Sequence, residues 1–383
     1  MRVLYCCHAD NYHIEKWVPA MEKAGLEIHI LTLRPSKILK NPQTIIKPVF
    51  SKITWFDFYL LAPKIKETFF LEQCDVLFCS FGSTYGLAGY MSSIKPLFIQ
   101  TWSRDIGADS SVNKKDTFIS KWISQKICRS SQGITTDGPH YKEYILNNWP
   151  PIPSEKICST WWGIDSTFWR SSTNQKVDLR SKLRIPKAST VFISPRGVFW
   201  YYRPLEILKA IKELAGLHED TYFLIPTLNH DCTPEVRELL FELKSYSTIR
   251  IFDSFLATID FKELLICSDF LLSVPLFDGI SEVIQEGLSC GVLPILNPIP
   301  ANLILKEFGT QAFWTELHQP SAKEIFNSLG KLIELKRDPS NESQFQKMKS
   351  SNYDFIEKNC SVDNTALKLS NFFESTIEPN PAS

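Results

Sequence analysis

Apolar residues in this chain fall in short continuous runs, separated by amphipathic stretches and single-glycine stops, and the whole pattern occurs twice. Arg2–Cys7 predicts a strand, His13–Ala24 a helix stopped by Gly25, and Leu26–Leu33 a second strand. Asp75–Cys79, Pro96–Thr101 and Gly133–Thr136 read as further short buried strands. Continuous rather than alternating apolarity favours a parallel sheet covered on both faces by helices. After Trp161–Phe168 comes a polar, unpatterned stretch, Arg170–Lys176, that reads as a boundary. The grammar then restarts. Thr190–Ser194, Tyr222–Pro226 and Thr248–Phe252 are predicted strands, alternating with helices over Pro204–Leu214, Val236–Lys244 and Phe261–Cys267. Near the end a polar segment, Lys336–Ser350, precedes a helix predicted over Tyr353–Asn371, and Glu378–Ser383 reads as a disordered tail.

A chain of 383 residues exceeds the usual size of a single core. The expectation is therefore an α/β protein with two Rossmann-like α/β/α domains facing each other across a deep cleft. Residues 1–168 form the first domain and 169–350 the second, with 351–383 as a crossover helix and tail returning to the first. A formal net charge of +0 gives no electrostatic case for nucleic acid. The ten cysteines lack a metal-ligand spacing and read as reduced, mostly buried thiols. The start is too short in apolar residues for a signal peptide, and Asp269 interrupts the Leu264–Phe277 run below spanning length. Together these predict a cytoplasmic protein.

The most informative chemistry lies in Leu276–Gly291. An apolar run, Phe270–Phe277, leads to Asp278-Gly279-Ile280-Ser281, then to a short helix carrying Glu286, then to Gly291 and a second apolar run, Val292–Leu296. This places Asp278 at a strand's carboxyl end and gives the helix a left-handed glycine stop. Carboxylates there accept hydrogen bonds from hydroxyls, while the opening turn's N–H groups face an anion. The combination suits a sugar joined to phosphate. No G-x-G-x-x-G follows the first strand, where Cys7-His8-Ala9-Asp10-Asn11-Tyr12 stands instead, and no Walker sequence, H-E-x-x-H or G-x-S-x-G occurs.

The same stretch, an acid and Gly with Glu286 eight positions after Asp278 and Gly291 beyond, resembles a retaining GT-B glycosyltransferase of family 4, which contains many lipopolysaccharide and capsule sugar transferases. Three other stretches agree in order. Gly163-Ile164-Asp165 with Phe168 resembles the family's interdomain turn, Gln100–Asp105 its first-domain catalytic loop, and Ser194-Pro195-Arg196 before Pro204–Ala210 its Gly-Arg loop and helix.

The resemblance implies transfer of a hexose-type sugar from a nucleotide diphosphate donor, without metal or other cofactor, to a glycan or lipid-linked saccharide acceptor. Arg196 would contact the diphosphate, with a surface ion pair as the plain alternative, and Arg203 would replace the family's loop lysine. Glu286 would accept from the ribose hydroxyls. Asp278 would contact the sugar or simply cap the helix, and Gly279 and Ile280 would offer backbone N–H groups. Asp105 would orient the acceptor or bind the donor sugar. His8, Asp10, Trp102 and Arg104 would line the cleft. Trp161, Trp162 and Trp169 suit hinge packing or carbohydrate stacking. Phe56, Phe58, Tyr59, Phe69 and Phe70, with Lys40, Lys47, Lys64 and Lys66, fit either core packing or peripheral contact with the cytoplasmic face of a membrane. Two other classes stay open: a nucleotide-sugar hydrolase or epimerase on the same fold, and an inactive nucleotide-sugar-binding partner protein.

Overall fold

The computed structural model describes residues 1–49, 53–102, 106, 114–170, 173–227, 232–254 and 256–377, and of 114–117 and 173–175 the backbone alone. The chain divides into two compact units, Met1–Gly163 with Ser361–Ser383, and Ile164–Cys360.

Among the described residues of the first unit, seven parallel strands form one sheet. They are β1 (Arg2–Cys6), β2 (Glu27–Thr32), β3 (Gln43–Ile45), β4 (Val76–Ser80), β5 (Leu97–Thr101), β6 (Gly133–Asp137) and β7 (Ile157–Thr160), in the order β3-β2-β1-β4-β5-β6-β7. Val3 lies opposite Ile28 on one side and Val76 on the other. Successive side chains point to opposite faces, and here both faces are apolar. Val3, Tyr5, Ile30, Phe78 and Phe98 pack beneath the Tyr12–Lys23 helix, whereas Leu4, Cys6, Leu77, Cys79 and Ile99 meet the Trp55–Leu71 helix. The Val362–Ile377 helix returns to the first face, where buried Leu369 and Phe373 join Ile14, Trp17 and Met21. Burial of each such side chain contributes roughly 1.5–3 kcal/mol.

In the second unit, the described strands are β8 (Thr190–Ile193), β9 (Thr221–Pro226), β10 (Ile249–Phe252), β11 (Phe270–Ser273), β12 (Leu293–Leu296) and β13 (Phe313–Trp314). They form a parallel sheet ordered β10-β9-β8-β11-β12-β13. Phe192 of β8 is stacked against Phe223 and Phe270 on the neighbouring strands. In each sheet the order reverses once, between β1 and β4 and between β8 and β11. Such a switch point leaves a crevice outside the carboxyl ends of the strands.

Two elements differ from the sequence expectation. The stretch read as an unpatterned boundary enters a helix, Thr173–Lys182. Its polar sequence is held by distant charge: Lys176 Nζ and Arg180 Nη2 bind the two oxygens of Asp269 at 3.0 and 2.8 Å, just before β11. Burial alone favours the neutral acid, but those cations hold Asp269 well below the usual carboxylate range. The single helix expected over Tyr353–Asn371 is instead two, Glu342–Phe355 and Val362–Ile377. The break occurs because the first belongs to the second unit and the other to the first. The tail 378–383 lies outside the described residues. All ten cysteines are free thiols, nine of them buried. Among the described residues no helix is long and apolar enough to cross a membrane.

Candidate functional site

In the second unit, β8 ends in Ser194-Pro195-Arg196-Gly197 and β11 runs on into Val274–Ser281. Gly197 takes φ +69°, a left-handed turn that a side chain would strain. The two loops are tied together by the Leu276 N–H donating to the Tyr201 carbonyl at 2.8 Å and by Phe277 stacking on Tyr201. This arrangement brings Arg196 and Asp278 into contact across the switch point. Arg196 Nη2 donates to Asp278 Oδ2 at 2.5 Å and to the Tyr202 hydroxyl at 2.9 Å, and Nη1 donates to Ser281 Oγ at 2.5 Å. Its guanidinium also lies over the Tyr202 ring, 4.3 Å from the centroid. Burial works against the arginine's charge, yet Asp278 and the two tyrosines raise its pKa on balance. Burial pushes the Tyr202 hydroxyl up as well, so it stays protonated.

Ser281 is the N-cap residue of the Glu282–Ser289 helix, which carries Glu286. That glutamate is buried, and its charge adds to the burial that pushes the Cys290 thiol up. Both remaining glycines of the stretch are needed by packing. A Cβ at Gly287 would lie 2.7 Å from Leu271 Cδ1 of β11, so the missing side chain lets the helix approach the sheet. Gly291 has φ +75°, and a Cβ there would meet the Tyr353 hydroxyl at 2.5 Å. Gly279 and Ile280 lie between Asp278 and the helix start, half-buried and buried.

Arg203 has another environment. It sits at φ +61° as the N-cap of the Pro204–Ala215 helix, donates from Nη2 to the Pro320 carbonyl at 2.6 Å and lies 3.6 Å from Glu206. Its Nε and Nη1 are buried without a partner among the described residues.

In the first unit, His8 follows β1 and Trp102 follows β5, at the carboxyl edge of that sheet. His8 lines a cavity of about 510 Å³ together with Trp55, Phe58, Phe81, Thr84 and Ile119. Its Nδ1 lies 3.0 Å from the Tyr85 hydroxyl, which also accepts the Leu33 N–H at 3.0 Å. Thr32 Oγ1 accepts from Ala9 and Arg34 N–H groups and donates to the Arg34 carbonyl. The Tyr85 hydroxyl and His8 Nδ1 thus share one hydrogen bond beside this loop network. Burial, with Arg34 nearby, lowers the His8 pKa and keeps the ring neutral. Asp10 is ion-paired to Arg34 at 2.9 Å. Trp102 stacks on Phe81 and packs against Trp162, which stacks on His13. Arg104 and Asp105 lie outside the described residues.

The structure thus brings Arg196, Asp278 and the Glu286 helix together and gives Arg203 separate partners. Sequence reasoning passed over Tyr202, Ser281 and Tyr85. Only Ser281 carried a local signal, a serine immediately before a helix. Among the described residues no group of three or more His, Cys, Asp or Glu is placed to hold a metal ion.

The sequence matches no family model and no curated protein. Solved structures do match. HepE from Anabaena in complex with UDP superposes with a TM-score of 0.75 at 12% identity, over 98% of this chain and 100% of that one. A glycosyltransferase from Rickettsia africae gives a TM-score of 0.76 at 16% identity, covering 99% of each chain. The chain has the GT-B fold. A Listeria monocytogenes protein assigned as a UDP-N-acetylglucosamine 2-epimerase gives 0.68 at 14% identity, over 98% of this chain and 96% of that one. The fold is therefore shared by transferases and by a protein assigned to a different reaction, and the choice between them rests on the site.

Proposed function

We propose that this protein is a retaining glycosyltransferase of GT-B family 4, moving a hexose-type sugar from a nucleotide diphosphate donor to a hydroxyl of a glycan or lipid-linked saccharide. The observation that carries the reading is the contact of Arg196 with Asp278 and Ser281 at the second unit's switch point. The Asp278 carboxylate occupies a guanidinium fork that suits a phosphate. Donor binding exchanges Asp278 for the diphosphate on Arg196 and frees Asp278 to accept from a sugar hydroxyl. Glu286 accepts from the ribose hydroxyls, while Gly279 and Ile280 present backbone N–H groups at the start of the Glu282–Ser289 helix. Arg203 fixes the turn that carries Tyr202. Arg104 and Asp105 are assigned to the acceptor side.

In the reaction the bond from the anomeric carbon to the phosphate oxygen breaks and one to the acceptor oxygen forms on the same face. The acceptor proton passes to the departing phosphate. Arg196 stabilises the negative charge that grows on the diphosphate, so its effect is largest in the transition state.

The test pairs a panel of UDP-, GDP- and ADP-sugars with saccharide acceptors and reads the product anomer by NMR. Because HepE was crystallised with UDP, UDP-sugars come first. Retained configuration is expected, and an inverted product would refute the mechanism. The likeness to the assigned epimerase gives a second reading, acceptor-free conversion of the donor. Rapid stoichiometric epimer or free sugar without acceptor would favour it over transfer.

A further inference from the structure

The loop after β8 sets two adjacent tyrosines beside Arg196. Trp200–Tyr202 forms a single 3-10 turn, closed by Arg203 in the left-handed region. Tyr201 is fixed by stacking on Phe277, with ring centroids 5.1 Å apart, and its carbonyl accepts the Leu276 N–H at 2.8 Å. Tyr202 carries the Arg196 guanidinium over its ring. The two hydroxyl oxygens are 2.9 Å apart.

Counting hydrogen bonds leaves one proton over. A guanidinium can only donate, so the bond from Arg196 Nη2 uses a lone pair of the Tyr202 oxygen. One hydroxyl proton of the pair fills the gap between the two oxygens. The other has no acceptor among the described residues. Charge decides where it points when an anion sits on the arginine. Arg196 repels the proton and the anion draws it, so the favoured chain runs from Tyr201 to Tyr202 to the anion, each bond polarising the next. Position agrees with charge. Asp278 Oδ2 and the Tyr202 oxygen are hydrogen-bonded to the same nitrogen, Nη2. An anion that takes the carboxylate's place there arrives beside the Tyr202 hydroxyl.

We infer that Tyr202 is a phosphate-binding residue, donating its hydroxyl proton to the diphosphate that replaces Asp278 on Arg196, while Tyr201 donates to Tyr202. The inference rests on the donor reading of this site. It gives the phosphate a second hydrogen bond without a second positive charge. Such a bond strengthens as negative charge grows on the departing diphosphate, so Tyr202 serves turnover as well as affinity.

The experiment is calorimetry of the full chain with UDP, GDP, ADP and inorganic pyrophosphate. Tyr202→Phe should weaken pyrophosphate and the bound nucleotide alike, by about 10- to 100-fold, whereas Tyr201→Phe should cost about two- to threefold. Phenylalanine keeps both rings, so thermal unfolding should stay close to the wild-type value. Repeating Tyr202→Phe in an Arg196→Lys background separates contact with the phosphate from support of the arginine. Contact gives a further loss of similar size, and support alone gives none. Unchanged affinity in Tyr202→Phe, a larger loss from Tyr201→Phe, or no further loss in the Arg196→Lys background overturns the proposal. Pyrophosphate binding that depends on Tyr202, with no nucleotide bound, would uphold the phosphate contact and refute the donor reading. Nucleotide binding indifferent to Tyr202 would do the reverse, and a wild type that binds none of the four probes would sink both.

Discussion

If Asp278 occupies Arg196 only until a diphosphate arrives, removing its charge must help one ligand and harm one reaction. Asp278→Asn keeps the shape of the side chain and an oxygen that accepts from Arg196 Nη2, but converts a charge-assisted bond into a neutral one. Both side chains are mostly buried, 13% exposed for Arg196 and 17% for Asp278. The pair is therefore stronger than an exposed ion pair, worth about 0–1 kcal/mol, and a charge-assisted bond exceeds a neutral one by about 1–2 kcal/mol. That difference is what a nucleotide diphosphate must displace. We expect Asp278→Asn to bind the diphosphate about 5- to 30-fold more tightly by calorimetry, while sugar transfer slows for want of the carboxylate. Arg196→Lys is the control of opposite sign. Its single ammonium cannot reproduce the fork to Asp278, Ser281 and Tyr202, so diphosphate affinity should fall about 10- to 100-fold. Alanine is a poor choice at Arg196, because it takes the arginine from a mostly buried carboxylate and the resulting loss of stability confounds the reading. Unchanged or weaker diphosphate binding by a stably folded Asp278→Asn protein would refute the exchange.

Three further outcomes are expected. Glu286→Gln should lower turnover about tenfold or more through a weakened hydroxyl contact, with a parallel loss of nucleotide affinity in calorimetry; unaltered values would remove Glu286 from the donor site. Gly291→Ala should destabilise the protein by about 2–4 kcal/mol in urea unfolding, from a left-handed backbone and the contact with the Tyr353 hydroxyl. Tyr353→Phe should relieve part of that loss, and strictly additive effects would contradict the contact. Lys349 has its pKa lowered from 10.5 to about 8, chiefly by burial and then by Lys176. Its unfavourable charging is fully present below about pH 8 and fades as pH rises towards 10.5, where the unfolded chain also loses the proton. Lys349→Met should therefore stabilise the protein by about 1–3 kcal/mol at pH 7 and by progressively less above pH 8, and a constant difference across that range would contradict the assignment.

Much of the fold could be read from the chain because it is written locally. The runs that became β1, β8, β11 and β12 each hold at least three consecutive apolar residues, as a strand covered on both faces requires. Gly291 was legible as a left-handed stop and has φ +75°. Arg196 and Asp278 stood out as residues after strand ends, and the structure puts them in contact. What was hidden depends on partners distant in sequence. The Thr173–Lys182 helix has no apolar stripe, and Lys176 and Arg180 are anchored by an acid about ninety residues on. Tyr202 gave no periodic signal, since its role as a platform exists only once the β8 loop folds back over it. Arg203 read as a stand-in for the family's loop lysine, and neither its positive φ nor its bond to the Pro320 carbonyl has a signal in the local sequence.

The return of the Val362–Ile377 helix also has a consequence for the order in which the protein is made. Phe372 and Phe373 pack against Phe98, and a Cβ at Gly133 would touch the Phe372 ring, so one face of the first sheet is completed by residues near the end of the chain. The second unit is continuous, Ile164–Cys360. On the ribosome it has all its residues before the first unit has its last helix, which inverts the usual N-terminal-first order. Until then the nascent first unit keeps an open apolar face, and that interval is when it most needs a chaperone's cover.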